Sequence, residues 1–272
     1  MIVEEEVMET KNIKIVFFDI DGTTYDAQTK YVSSSTIKAI KELQDKGIIT
    51  VINTGRGRNE ILGISKELMN LPFDAYITSE GSEVYLKDGT IIHRAHITKE
   101  HALHIKALLE TCEFPLDCIF TDDHGSGVTH DIGEYGELNF KWFEIAPYEK
   151  RMFDDSSLIH TIFAVDEKYH NRVISYLDGT NYDVTSPISI EVYPSNTTKL
   201  TGAKYLLDYY GLTLEEAMAF GDSDNDVELI RDIGIGVCMG NGKEIVKQNS
   251  DYVCEDLFND GIYKTLKMFG VI

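Results

Sequence analysis

Apolar and polar positions alternate along this chain in short blocks of two different periods. "IKIVFFD" is an almost unbroken apolar run and reads as a strand buried on both faces. A helical pattern follows, with Ile37, Ile40 and Leu43 on one face, Ser33 to Ser35 as N-caps and Gly47 as its stop. "IITVIN" (48–53) reads as a second buried strand, Arg58 to Met69 as a second helical segment, and "DAYITSEG" (74–81) as another short strand. This alternation predicts right-handed crossovers and a parallel sheet. The rhythm returns near the C-terminus with helical "GAKYLLDYYG" (202–211), strand "AMAFGD" (217–222) and helical "DVELIRDIG" (226–234). "GIGVCMG", "KEIVKQN", "DYVCE" and "GIYKTLKMFG" continue it.

The middle follows a different pattern. "EVYLKDGTIIHR" (83–94) is a hairpin signal, with Asp88-Gly89 as its turn. A helix (99–112), a strand "LDCIFT" (116–121) and a long loop, "DDHGSGVTHDIGEYGE", come next. Beyond them lie strand-like "LIHTIFAVD" (158–166), a helix (168–177) and short strands near 182–185 and 189–193. The fold class is therefore α/β, with residues 1–84 and 194–272 forming one domain and 85–193 an α+β insertion.

Composition narrows the partners. The hydrophobic share of 43% and charged share of 26% suit a soluble globular protein. No apolar run approaches membrane-spanning length, so no membrane partner is expected. "MIVEEEVMET" lacks the basic, apolar, small-residue order of a secretory leader. Cysteines 112, 118, 238 and 254 have no paired or zinc-like spacing, which reads as four reduced thiols in the cytoplasm. The formal net charge of −21 repels nucleic acid and anionic membranes. A small anionic substrate stays possible if a metal or a few basic residues reverse the field locally.

The chemistry-bearing stretches sit where strands end, the usual ligand position of open α/β sheets. In "VFFDIDGTT", Asp19 and Asp21 stand two apart at the end of the apolar strand and point the same way if the backbone is extended. Two converging carboxylates suit Mg²⁺, although a solvated turn with helix-capping acids reads equally well from this motif alone. In "GDSDNDVEL", Asp222 is a third carboxylate at a strand end, whereas Asn225 and Asp226 also read as caps of the next helix. In "INTGRGR", Thr54 and Gly55 could cradle a phosphate or form a plain strand-to-helix turn. Lys199 in "SNTTKLTGAK" is a solvated lysine or a point charge on a phosphate, with Lys204 as its rival.

Together these residues resemble the four motifs of the haloacid dehalogenase superfamily, in that family's order. The insertion and "GIGVCMGNGKEIVKQNSDYV" make the chain similar to Cof-type phosphatases with a type IIB cap. The resemblance implies a Rossmann-like core, an inserted cap and hydrolysis of small phosphorylated metabolites, sugar phosphates foremost. It implies Asp19 as nucleophile and Asp21 as the acid and base. Mg²⁺ would be held by Asp19, the Asp21 carbonyl and Asp222, with Asp226 in support. Thr54, Gly55 and Lys199 would bind the phosphoryl group, and Asn225 would help position it. Departures are Glu80-Gly81-Ser82 where the family often has Asn-Gly-Ala, Lys199-Leu200 for Lys-Gly, and Cys238 to Gly242 for Ala-Met-Gly-Asn-Ala.

All eight histidines fall in the insertion, where His101 with His104, and the "DDHGSGVTHD" loop, raise a second-metal alternative. Some residues among Asp122, Asp123, His124, His130 and Asp131 are expected to face the active site and contact the leaving group. Trp142 and Phe143 are expected either to stack on the leaving group or to pack in the cap. The only cap arginines, 94, 151 and 172, are few for a phosphomutase, which must clamp a second phosphate. A non-catalytic phosphosugar sensor is the third class. The expected assembly is a monomer or small homo-oligomer.

Overall fold

The computed structural model describes residues 12–143 and 148–272. Strand β1 (Ile15–Phe18) is buried at every position and lies in the middle of the larger sheet. Helix α1 (Ser34–Asp45) starts at Ser33, whose side chain accepts the Ser35 N–H, and buries Thr36, Ala39, Ile40 and Leu43. It leads to β2 (Ile49–Asn53). The helix expected over 58–69 is broken into a 3₁₀ turn (Glu60–Gly63) and the four-residue α2 (Lys66–Met69). Gly63 and extended Ile64 interrupt it, and Ser65 caps a fresh start. β3 (Ala75–Thr78) follows, then β4 (Glu83–Leu86) and β5 (Ile91–Arg94).

The insertion contains α3 (Lys99–Thr111), β6 (Asp117–Asp122), β7 (Gly125–Val128), α4 (Glu134–Phe143), β8 (Leu158–Ala164), α5 (His170–Ile174), β9 (Asn181–Ser186) and β10 (Ser189–Tyr193). The chain then re-enters the core through α6 (Lys199–Tyr210), β11 (Ala217–Gly221), α7 (Val227–Asp232) and β12 (Ile235–Cys238). It ends in α8 (Glu244–Lys247), β13 (Tyr252–Val253) and α9 (Gly261–Met268).

The core sheet runs β13-β12-β11-β1-β2-β3-β4-β5. All pairings up to β3 are parallel, while β4 and β5 are antiparallel. β1 lies between β2 and β11, so the chain leaves it on one side and returns on the other. The crevice at such a switch point is where open α/β sheets bind ligands. The hairpin read as the opening of the insertion pairs instead with β3, with Ala75 opposite Leu86 and Thr78 opposite Glu83. By sheet membership the cap runs from about 95 to 193. Local pattern announces a hairpin, but which sheet it joins is a long-range choice.

The cap is a five-stranded antiparallel sheet, β7-β6-β8-β10-β9. Part of the expected loop 122–137 is structured as β7 and the start of α4. Side chains of β10 alternate: Ile190 and Val192 join the apolar cluster with Ala102 and Ile105 of α3 and Val173 of α5. Ser189, Glu191 and Tyr193 therefore face the other way, toward the core. Helix α4 packs on that second face through Phe140, against Ile119 and Ile162.

Two apolar layers cover the core sheet. Val16, Phe18 and Ile20 face α1 and α9, while Ile15 and Phe17 face Leu200, Ala203 and Leu206 of α6. Phe18 and Phe220 of β11 stack with centroids 5.6 Å apart. Because both rings are fully enclosed, Phe220→Ala should lower unfolding free energy by about 3–5 kcal/mol in urea titration.

Candidate active site

The alternation of β1 fixes the position of the first aspartate. Odd residues face α6, so Asp19 emerges beside the first residue of that helix, Lys199. α6 opens with a capping box between Thr198 and Thr201. A lysine in the first turn opposes the helix dipole, so its ammonium needs carboxylates nearby. It has two: Lys199 Nζ donates to Asp19 Oδ1 and to Asp226 Oδ1, each at 2.7 Å, and its side chain is 1% exposed. Burial works against the ammonium, but Asp19, Asp226 and Glu80 outweigh it and hold its pKa above the ordinary lysine value.

Asp226 uses its second oxygen to accept the backbone N–H groups of Asp222 (2.9 Å) and Ser223 (3.0 Å), which closes the turn after β11. Asp222 accepts from the Thr23 hydroxyl at 3.0 Å and from Ser223 at 3.3 Å. Oxygens of Asp19, Asp222 and Asp226 lie within 4.8 Å of one another. Burial drives Asp19 well above the usual carboxylate range, with Asp226 and Asp222 adding to the rise and Lys199 opposing it. Burial, with Asp226 adding, lifts Asp222 to about 6 against Lys199, Thr23 and Ser223. The cluster thus carries more negative charge than its one lysine offsets.

Asp21 is not in this cluster. Beyond Asp19 the chain leaves the extended conformation at Gly22 (φ +80°), and the Asp21 carboxylate is gripped by Arg56. Arg56 Nε and Nη2 each donate to it at 2.7 Å. Thr54, 1% exposed, accepts the Arg56 backbone N–H, and Thr54 and Gly55 lie on the cavity wall. Asn225 donates its amide to Glu80 in a short contact. Glu80 sits in a strained turn in which Ser79, Glu80 and Gly81 all have positive φ. A Cβ at Gly81 would lie 2.1 Å from the Thr198 carbonyl oxygen, so only glycine lets this turn rest on the start of α6. Burial lifts Glu80 to about 7, Lys199 and Asn225 pull it down, and Asp183 adds to the rise.

These residues open into a cavity of about 710 Å³ between core and cap. Its cap side is formed by α4, including Trp142 and Phe143, and by β9, β10 and the turn between them. Trp142 is 53% exposed, and the Arg56 guanidinium lies 5.0 Å from the Phe143 ring. The loop expected to face the site does not line the cavity. Asp122 is on the opposite face of the cap sheet, forked by Arg151 at 2.6 and 2.7 Å. Asp123 pairs with Arg94 and His96, Asp131 with Lys150, His130 lies by Asp117 and His124 by Asp154. The rings of His101 and His104 lie 6.2 Å apart, and among the described residues no histidine belongs to a group of three potential metal ligands. Arg56 and Glu80 were legible as neighbours of the motifs, but Asp183 and Glu191 carry no sequence signal beyond β alternation.

Removing Lys199 while keeping its volume should expose the excess of buried carboxylate. Lys199→Met is expected to cost about 3–5 kcal/mol at pH 8. Asp19 and Asp222 have raised pKa values, so they take up protons as pH falls, and the loss should shrink toward pH 5. Urea titration at both pH values checks this.

Comparison with known proteins agrees with this geometry. A family model described as haloacid dehalogenase-like hydrolase matches residues 16–266. The chain is 28% identical over 262 residues to the 5-amino-6-(5-phospho-D-ribitylamino)uracil phosphatase YcsE of Bacillus subtilis, covering 95% of this chain and 96% of that protein. It superposes on BT1666 from Bacteroides thetaiotaomicron, described among the phosphatases of the HAD superfamily, with 32% identity, TM-score 0.80 and 96% of each chain covered. It also superposes on the HAD subclass IIB sugar phosphatase BT4131 with 29% identity and TM-score 0.81, over 95% of this chain and 100% of that one. A fold, an acidic strand-end cluster and a match over most of the length all point one way: the chain belongs to the haloacid dehalogenase-like hydrolases, and it is a phosphatase.

Proposed function

We propose that this phosphatase is a Mg²⁺-dependent phosphomonoesterase of small phosphorylated metabolites, sugar phosphates foremost, working through an aspartyl-phosphate. The observation that carries the reading is the Asp19–Lys199–Asp226 arrangement beside Asp222, with Asp19 on the wall of a capped cavity. The residues fit a small hard cation. All three donors are carboxylate oxygens, and a Cβ at Gly22 would lie 2.4 Å from Asp222 Oδ2, so the glycine leaves the cluster clear on that side. Asp19, the Asp21 carbonyl and Asp222 would hold it, with Asp226 behind them. When bound, Mg²⁺ offsets the charge of the phosphoryl oxygens.

The chain's own residues then divide the work. An Asp19 carboxylate oxygen attacks phosphorus as the bond to the leaving oxygen breaks, and Asp21 gives that oxygen its proton. Water next attacks the phosphorus of the aspartyl-phosphate, Asp21 takes the water's proton, and Asp19 departs as carboxylate with inorganic phosphate. Lys199 counters the burial that favours protonated Asp19 and, with Thr54 and Gly55, would bind the phosphoryl oxygens. The Arg56 fork orients Asp21 for the second proton transfer. A phosphomutase is disfavoured because Arg94, Arg151 and Arg172 are engaged by Glu83, Asp122 and Phe114, and none lines the cavity.

Hydrolysis of p-nitrophenyl phosphate should fall by about a thousand-fold or more in Asp19→Asn, with the fold retained by circular dichroism. Chelation should abolish turnover and added Mg²⁺ restore it; activity that survives either change refutes the assignment. A third expectation concerns pH. With its folded pKa near 6, above its ordinary 3.8, Asp222 binds its proton more tightly folded than unfolded. The metal-free protein therefore loses stability from this group as pH rises between those values. Mg²⁺ needs the ionised form, so the rise in Tm on adding it should be larger at pH 7.5 than at pH 5.5.

A further inference from the structure

The cap wall of the cavity has an unusual charge balance for an enzyme whose substrate is an anion. Among the described residues it contains no lysine or arginine. The cavity's two lining cations are both engaged on the core side: Arg56 is forked on Asp21, and Lys243 is in short contact with Asp224. Three further carboxylates, Glu80, Asp183 and Glu191, line the same space; Glu191 lies 3.4 Å from the cap's His160, whereas Glu80 and Asp183 have no ion pair among the described residues. Their fields overlap. Asp183 raises Glu80, while desolvation followed by Glu191 and Asp224 pushes Asp183 itself upward, with Lys243 opposing.

One acceptor here also lacks a donor. Glu80 is only 6% exposed and accepts the Asn225 amide through one oxygen. The Asn225 side-chain oxygen is buried and unpartnered. Buried acceptors without donors are costly unless a ligand supplies them. On α4, Trp142 and Phe143 add aromatic faces to the same cavity, surfaces that favour a cation. A second phosphate or a carboxylate would meet Asp183 on this wall, with no lysine or arginine there among the described residues to receive it.

We infer that the leaving group carries a protonated amine, so that the substrate class is a phosphomonoester of an amino sugar or amino polyol, with Glu80, Asp183 and Glu191 as the specificity-determining residues. The inference rests on the phosphomonoesterase reading above. It also uses the buried Glu80 carboxyl, which an adjacent ammonium would hold in its ionised, hydrogen-bond-accepting form. One amine against one hydroxyl, read by paired carboxylates in a partly dry site, should give roughly ten-fold or more in kcat/KM.

The test compares matched pairs: glucosamine 6-phosphate with glucose 6-phosphate, and glucosamine 1-phosphate with glucose 1-phosphate. Phosphate release should favour the amine by about ten-fold or more in at least one pair, with 6-phosphogluconate and glucose 1,6-bisphosphate poorer than both. Glu80→Gln and Asp183→Asn should each bring the favoured ratio toward one, chiefly through KM. Equal turnover within both pairs, or a preference untouched by both variants, overturns the inference. Calorimetric titration of Asp19→Asn with the same four compounds decides the question without turnover: tighter binding of an amine supports it and equal binding refutes it. If p-nitrophenyl phosphate is not hydrolysed by the wild type, the catalytic reading fails, and the titration still decides the amine preference.

Discussion

The Lys199 ammonium, fully enclosed between Asp19 and Asp226, is the interaction on which the rest of the site depends. Burying one cation with several carboxylates is expensive, and Asp226 has a second task besides pairing with the lysine. Asp226 holds the turn after β11 through two backbone N–H groups, and that turn carries Asp222. Asp19 is carried by the stiffest element available, a strand with buried neighbours on both sides. The lysine therefore ties together three segments that are distant in sequence: the end of β1, the start of α6 and the turn after β11. An excess of negative charge remains, and this excess gives a divalent cation its place there.

Core and cap face one cavity from opposite sides with different kinds of group. The core supplies charged groups held by backbone geometry, whereas the cap supplies the face of an antiparallel sheet and one helix. The two are joined by more than contact across the cavity. His160 of the cap, 1% exposed and stacked on Tyr193, lies 3.9 Å from Glu60 of the core and 3.4 Å from Glu191 of the cap. Burial would depress its pKa, yet Glu191 and Glu60 raise it, so the imidazole favours the charged form where a neutral ring would otherwise be expected. Glu191 is thereby fixed from behind, and it also accepts the Tyr193 hydroxyl at 2.6 Å. Its position on the cavity wall is set by this buried network.

Much of this protein was legible in its sequence. The apolar runs ending in Asp19 and Asp222 announced parallel strands with carboxylates at their carboxyl ends, because burial on both faces leaves no room for alternation. The order of the four motifs announced the family, since each sits at a fixed place on the strand–helix framework. Lys199 was named over Lys204 as the first candidate, and the fold buries it beside Asp19. Helix breaks at Gly63 and Ser65, and the strand hidden in a glycine-rich stretch at β7, were lost because their local signals are weak and their stabilising partners lie far along the chain.

What the sequence by itself determined was which residue types stand at which strand ends, and in what order. Tertiary structure alone decided which side chains meet. It placed the β4–β5 hairpin on the core sheet, turned Asp122 away to Arg151, and aimed Asp21 at Arg56 instead of at the acidic cluster. It also brought Glu80 onto one cavity with Asp183 and Glu191, which lie far along the chain in the cap. The physical reason is the same in each case. Period and capping are properties of neighbouring residues, whereas strand pairing, sheet face and charge balance are settled between segments that touch only once the chain has folded.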